Sequence, residues 1–158
     1  MTGTGGSFRR AAALLAAAAL FALRCVPGTE DILESKPEGS VRVQSSTLGR
    51  LTIIPVRCTA GDRERFLGAD FRTEASGAVV RLAVDPVQGP AVRVFDRAAP
   101  DAATIVFRRG ECRAFQYTLE ATSLRVNRIQ DYRVALQLDC RNARGDTIEG
   151  RLGSSHCH

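Results

Sequence analysis

Beyond residue 40 the apolar positions of this chain recur every second residue. Val41 and Val43 alternate with Arg42 and Gln44, and Val80, Leu82 and Val84 with Arg81, Ala83 and Asp85. Phe115, Tyr117 and Leu119 alternate with Gln116 and Thr118. Tyr132, Val134, Leu136 and Leu138 alternate with Arg133, Ala135, Gln137 and Asp139. Shorter runs cover Leu51 to Cys58, Val92 to Val94, Ile105 to Phe107 and Ile148 to Leu152. Alternation of this kind turns one set of side chains inward and the other to water, the mark of a half-buried strand. Ser76-Gly77, Asp85-Pro86, Gly89-Pro90, Pro100-Asp101, Arg109-Gly110 and Arg144-Gly145 fall between the runs and carry turn chemistry. Past the first 24 residues, helical periodicity is confined to a single turn over Asp62 to Leu67. Pro55 lacks an N–H for a ladder, which places its strand at an edge or at a bulge. The pattern predicts an all-β, antiparallel β-sandwich of about 8–9 short strands.

The last three runs read as a meander: Cys112 to Glu120, Asp131 to Cys140, and Asp146 to about His156. The link 141–145 is a hairpin loop, with Gly145 free to take positive φ. Ala121 to Gln130 reads as a longer connection, and its Arg125, Asn127 and Arg128 are candidate binding-loop residues. Cys58, Cys112, Cys140 and Cys157 admit three pairings. In the meander Cys112 opens one strand and Cys140 closes its neighbour, so they meet at the same end. A straight last strand carries Cys157 away from Cys140 at about 3.3 Å per residue, and a bridge needs Cα atoms within about 7 Å. Cys112–Cys140 with Cys58–Cys157 is therefore favoured. Cys58–Cys112 with Cys140–Cys157 is the alternative, if the chain bends sharply at Gly150 or Gly153.

The N-terminal segment has a different pattern. Arg9 and Arg10 precede an unbroken apolar run, Ala11 to Leu23. A basic start and about 7–15 apolar residues read as a secretory signal over 1–24. The run is shorter than the roughly 20 residues of a membrane span. The twin arginine resembles a Tat leader only in the pair itself. Cys25 closes the run and is a candidate lipid-bearing cysteine, which would attach the chain to a membrane. Arg24 before it departs from the small residue that lipoprotein processing expects. Ordinary cleavage near Ala22 is the competing route. Removing Cys25 from the five cysteines leaves an even number for disulfides, which favours lipidation. Pro27, Gly28, Pro37 and Gly39 mark 25–40 as a flexible tether, and 41–158 is one domain's worth of chain. Paired cysteines behind a leader place the protein outside the cytosol, in the periplasm, on the outer membrane or at the cell surface.

The net charge of +5 changes meaning once the leader is set aside. Three of the 22 basic residues, Arg9, Arg10 and Arg24, lie there with no acid among them. The remainder carries 19 basic against 17 acidic residues, a net of +2. That does not resemble the clustered basic footprint of a nucleic-acid binder. Lys36 is the only lysine. A GC-rich genome accounts for this bias, and selection of arginine for bidentate anion contacts is the functional alternative.

Candidate chemistry is sparse. His156 and His158 flank Cys157 and are candidate metal ligands, but an oxidised Cys157 has no thiolate to give and two imidazoles fall short of a structural zinc set. There is no Gly-x-Ser-x-Gly and no histidine upstream of the tail. Scattered acids, among them Asp70, Glu74, Asp85 and Asp146, could supply a hydrolytic pair only if two converged. Arg144-Gly145-Asp146 spells an adhesion tripeptide and reads more simply as a turn. No cofactor is implied.

GECRAFQYTLEAT, VNRIQDYRVALQLDC and GDTIEGRLGSSHCH resemble small bacterial exported or lipoprotein β domains with a cysteine frame. The last segment, with its terminal Cys-His, is the most specific. The resemblance covers most of the chain after the leader and implies envelope location and a sandwich fold. It brings no activity with it. The expected function is a non-catalytic binding or structural role, with an envelope protein or a glycan as partner. A glycan-active hydrolase and a periplasmic metal-binding protein are the alternatives.

Overall fold

The computed structural model describes residues 36–74, 77–98 and 104–158. The leader, Cys25 and most of the tether lie outside them. Ten strands follow in order: β1 (Pro37–Ser45), β2 (Gly49–Ile53), β3 (Arg57–Ala60), β4 (Gly68–Arg72), β5 (Ala78–Asp85), β6 (Gly89–Asp96), β7 (Ile105–Arg108), β8 (Cys112–Val126), β9 (Ile129–Arg141) and β10 (Thr147–Cys157). Two 3-10 turns, Gly61–Glu64 and Arg109–Glu111, interrupt them. The first sheet runs β2-β1-β10-β9-β8 and the second β3-β4-β5-β6-β7, antiparallel throughout. Each strand lies beside its successor or crosses to the facing sheet, and β1 closes the circuit against β10.

The sandwich is the one that the alternation predicts. It has more strands than the pattern shows, for two reasons. Pro55 breaks the run from Leu51 to Cys58 into β2 and β3, and these are edge strands of opposite sheets, as a residue without a ladder donor requires. β4 escaped the periodic reading because only Ala69 and Phe71 of GADFR are apolar. β1 begins at Pro37, inside the segment that composition assigns to the tether.

The core is built from the inward rows. Val41, Val43, Ile148, Val134, Leu136 and Leu138 of the first sheet face Phe71, Val80, Leu82, Val92, Val94 and Phe107 of the second, all buried. Burying a side chain of this size stabilises by about 1.5–3 kcal/mol, so the paired rows carry most of the fold. Cys58–Cys157 joins β3 to β10 and so staples one sheet to the other, with Cα atoms 4.8 Å apart. Cys112–Cys140 crosses between neighbouring strands of the first sheet, Cα to Cα 3.9 Å, in direct register. This is the favoured pairing, and the alternative is excluded.

β1 and β10 approach closely at Gly150, opposite Val41. Its φ is +140° and a Cβ would overlap the carbonyl of Ser40. Gly150→Ala is therefore expected to lower stability by about 2 kcal/mol, read as an earlier urea midpoint. An unchanged midpoint would show that the two strands can part there freely.

The outer face of the first sheet carries exposed cross-strand ion pairs, Arg42–Glu149 at 3.4 Å, Arg113–Asp139 at 2.9 Å and Arg133–Glu120 at 3.9 Å. Such solvated pairs add little stability.

Candidate functional site

The two tail histidines converge on a carboxylate, Asp131 of β9, which is fully buried. His156 reaches its Oδ2 through Nδ1 at 2.9 Å, and His158 its Oδ1 through Nδ1 at 3.4 Å. The Thr122 hydroxyl donates to Oδ2 at 2.7 Å and the Cys157 N–H to Oδ1 at 3.0 Å. Shifts of register in β8 between Ala121 and Arg125, and in β10 between Ser154 and Cys157, accompany this gathering. Burial pushes the Asp131 pKa up, but the hydrogen bonds from His156, Thr122 and His158 outweigh it and hold the group below the usual carboxylate range. An ionised carboxylate only accepts, so each Nδ1 is assigned a proton.

This arrangement is a structural clamp of hydrogen bonds on one buried carboxylate. Cys157 is spent in its disulfide. Among the described residues no group of three or more His, Cys, Asp or Glu could hold a metal ion.

The expected long connection from Ala121 to Gln130 is not a loop. β8 and β9 extend through it and meet in a two-residue turn, Asn127-Arg128, both at positive φ (51° and 69°). After Leu119 both faces of β8 are largely exposed and the apolar alternation lapses, so the pattern does not mark these strand ends. Gln130 holds the hairpin from within, its Nε2 donating to the carbonyls of Thr122 at 2.7 Å and Leu124 at 3.2 Å. Arg125 Nε donates to Gln130 Oε1 at 3.3 Å, so that candidate side chain is tied to the hairpin. A turn with two positive φ values favours Asn followed by Gly. Arg128→Gly is expected to raise stability by about 1 kcal/mol, seen as a later thermal midpoint; a loss would mean that the arginine side chain supports the hairpin.

Arg144-Gly145-Asp146 lies in the β9–β10 loop, but its acid is buried. Asp146 accepts from the Asn142 amide at 3.0 Å and from the Ser46 N–H at 3.3 Å. Turned inward, it is not available as an adhesion carboxylate.

The second sheet's outer face holds the other concentration of chemistry, and sequence reasoning missed it. Asp70, Arg81 and Arg93 stand in one cross-strand row on β4, β5 and β6. Arg81 grips Asp70 with two parallel bonds, Nε to Oδ1 at 2.8 Å and Nη2 to Oδ2 at 2.9 Å. Arg72 Nη2 donates to Asp70 Oδ2 at 3.1 Å and to Glu64 Oε1 at 3.0 Å, and Arg81 also pairs with Glu64. The turn Gly61–Glu64 and the left-handed Arg65 fold Glu64 and Phe66 back over the sheet. The Arg81 guanidinium lies 4.3 Å from the Phe66 ring centroid and 5.1 Å from that of Phe95. Its pKa is raised, chiefly by the hydrogen bond to Asp70 against the opposing effect of burial.

Beside this network opens a hollow of about 350 Å³, lined by Glu64, Asp70 and four arginines, Arg72, Arg81, Arg93 and Arg97, with Val79 and Phe95 as its apolar part. Glu64 and Asp70 are two carboxylates in one hollow, the arrangement that a hydrolase would need. Both are committed to arginine, and both oxygens of buried Asp70 accept charge-assisted bonds. Acids so held have their oxygens turned to arginine rather than to a substrate. Arg72 and Arg81 are committed by the same bonds, so exposed Arg93 and Arg97 are the groups offered to a ligand.

Comparison with protein-family models, with curated proteins and with solved structures finds no match to this chain. The structure itself defines a disulfide-bonded antiparallel β-sandwich with an arginine-lined hollow on one outer face. Its disulfides are those of a protein built for an oxidising environment. Among the described residues no helix is long and apolar enough to cross a membrane.

Proposed function

We propose that this chain is an exported envelope or cell-surface protein with a non-catalytic binding role, akin to the small exported β domains that its cysteine frame resembles. The leader pattern over residues 1–24 and the two disulfides support export. The observation that carries the binding role is the hollow of the second sheet. Rigid strands present arginines there, and the local acids are neutralised.

The test combines retention with turnover. The full chain is incubated with isolated envelope polysaccharide, and both the bound fraction and newly released reducing ends are measured. Retention without release supports the reading. Release that disappears in Glu64→Gln transfers the hollow to a glycan-active hydrolase, and absence of retention, both here and in a parallel incubation with solubilised envelope protein, removes the binding role.

A further inference from the structure

The second sheet places like charges opposite one another. Arg57 is paired in register with Arg72, and Arg81 with Arg93. Directly opposed like charges destabilise a sheet. In the first sheet arginines are opposed by acids, Arg42 by Glu149 and Arg133 by Glu120, and its one like-charge register pair is acidic, Glu149 with Asp139. Within the second-sheet hollow only Glu64 and Asp70 answer the arginines, and both are taken up by Arg72 and Arg81. Among the described residues no carboxylate pairs with Arg93 or Arg97, and both are exposed. The Arg72 Nε is buried with no hydrogen-bond partner. Arg93 and Arg97 therefore stand over the sheet with guanidinium donors turned to solvent, where an anion can take them.

We infer that this hollow binds an acidic glycan, with carboxylate or sulfate groups of the sugar held by Arg93 and Arg97. This rests on the binding reading above and specifies its ligand. Arg81 is a positioning residue, fixed by Asp70 and by its two aromatic neighbours. Three features select the ligand class. The hollow is at the small end of ligand sites, about 300–1,000 Å³, and so suits a sugar unit rather than a folded partner. Arg72 and Arg81 are recessed, their side chains 22% and 19% exposed, which favours a ligand that enters over a flat bilayer surface. The small net charge beyond the leader argues against nucleic acid.

The experiment is calorimetric titration of the full chain with a uronic-acid oligosaccharide and a sulfated one. Controls are a neutral oligosaccharide of equal length, sodium sulfate, and phosphatidylglycerol vesicles. Expected are saturable binding of an acidic oligosaccharide that weakens with salt, no binding of the neutral one, and a loss of about tenfold or more in Arg93→Gln/Arg97→Gln. The unliganded double variant is expected to melt no earlier than wild type, since it relieves a like-charge pair. Arg133→Gln on the first sheet should bind as wild type does. Equal affinity in wild type and the double variant would remove the hollow from the proposal while leaving a binding protein. Equal binding of the neutral sugar, or a response to sulfate or vesicles alone, would overturn the ligand class. No binding of either acidic sugar overturns this inference, and the binding reading falls with it only if envelope polymers are not retained either.

Discussion

Replacing Cys58 and Cys157 together by alanine lowers the unfolding free energy by about 4.7 kcal/mol on the chain-entropy estimate for so long a loop. The bridged residues are 99 apart in sequence, against 28 for Cys112 and Cys140, for which the same estimate gives about 3.6 kcal/mol. The difference has a second source. Cys112–Cys140 links strands that already share a ladder, whereas Cys58–Cys157 ties two sheets held to each other by side-chain packing. A domain of ordinary stability has about 5–15 kcal/mol in total, so loss of the inter-sheet bridge leaves it near the threshold of unfolding. Guanidinium denaturation of the two double-alanine variants reads the order directly. If the Cys112/Cys140 variant proved the weaker of the two, the sheets would be holding together without their staple.

The second large effect belongs to Asp131. Asp131→Ala is expected to cost about 3 kcal/mol or more, because a buried carboxylate that accepts several bonds is removed and the Cys157 N–H and Thr122 hydroxyl lose their acceptor. The acid contributes with a definite pH dependence. Its folded pKa is depressed, so its ionised form is favoured by folding. That contribution is complete above the unfolded value of about 3.9 and is lost as the pH falls through the lower folded value. Asp146 acts with the same sign: burial opposes its ionisation, and bonds from Asn142, Ser45 and Ser46 with the charge of Arg144 outweigh it. The measurement is unfolding free energy of wild type and Asp131→Asn from pH 7 down to pH 2. The gap between them should narrow below about pH 4. A gap that stays constant to the acid limit would show that ionised Asp131 contributes nothing to folding.

Much of this architecture could be read from alternation alone. Val80, Leu82 and Val84 against Arg81 and Ala83 declare a strand because one face meets the core and the other meets water. The cysteine pairing was legible for the same reason, since strand direction places Cys112 beside Cys140. What stayed hidden depends on neighbours that one strand's sequence does not display. β4 has too few apolar residues to show a period, and its Asp70 looks like any surface acid until Arg81 is set beside it. The arginine hollow was dispersed over β4, β5 and β6, and each arginine alone passed for an outward polar residue. Cross-strand register, which sequence patterning does not give, is what turns them into a site. His156 and His158 were visible as chemistry, but their partner Asp131 lies 25 and 27 residues earlier, and the shifts of register that gather the clamp leave no mark in the pattern.

The seam between β1 and β10 sets an order of assembly. Arg42 and Glu149 meet across it although 107 residues separate them. The first strand to emerge during synthesis must therefore wait for the last, and its inner edge has no partner until then. Long-range closure of this kind slows folding. Such a delay leaves the polypeptide unlocked until its last strand has been made, so the topology itself postpones maturation to the end of synthesis.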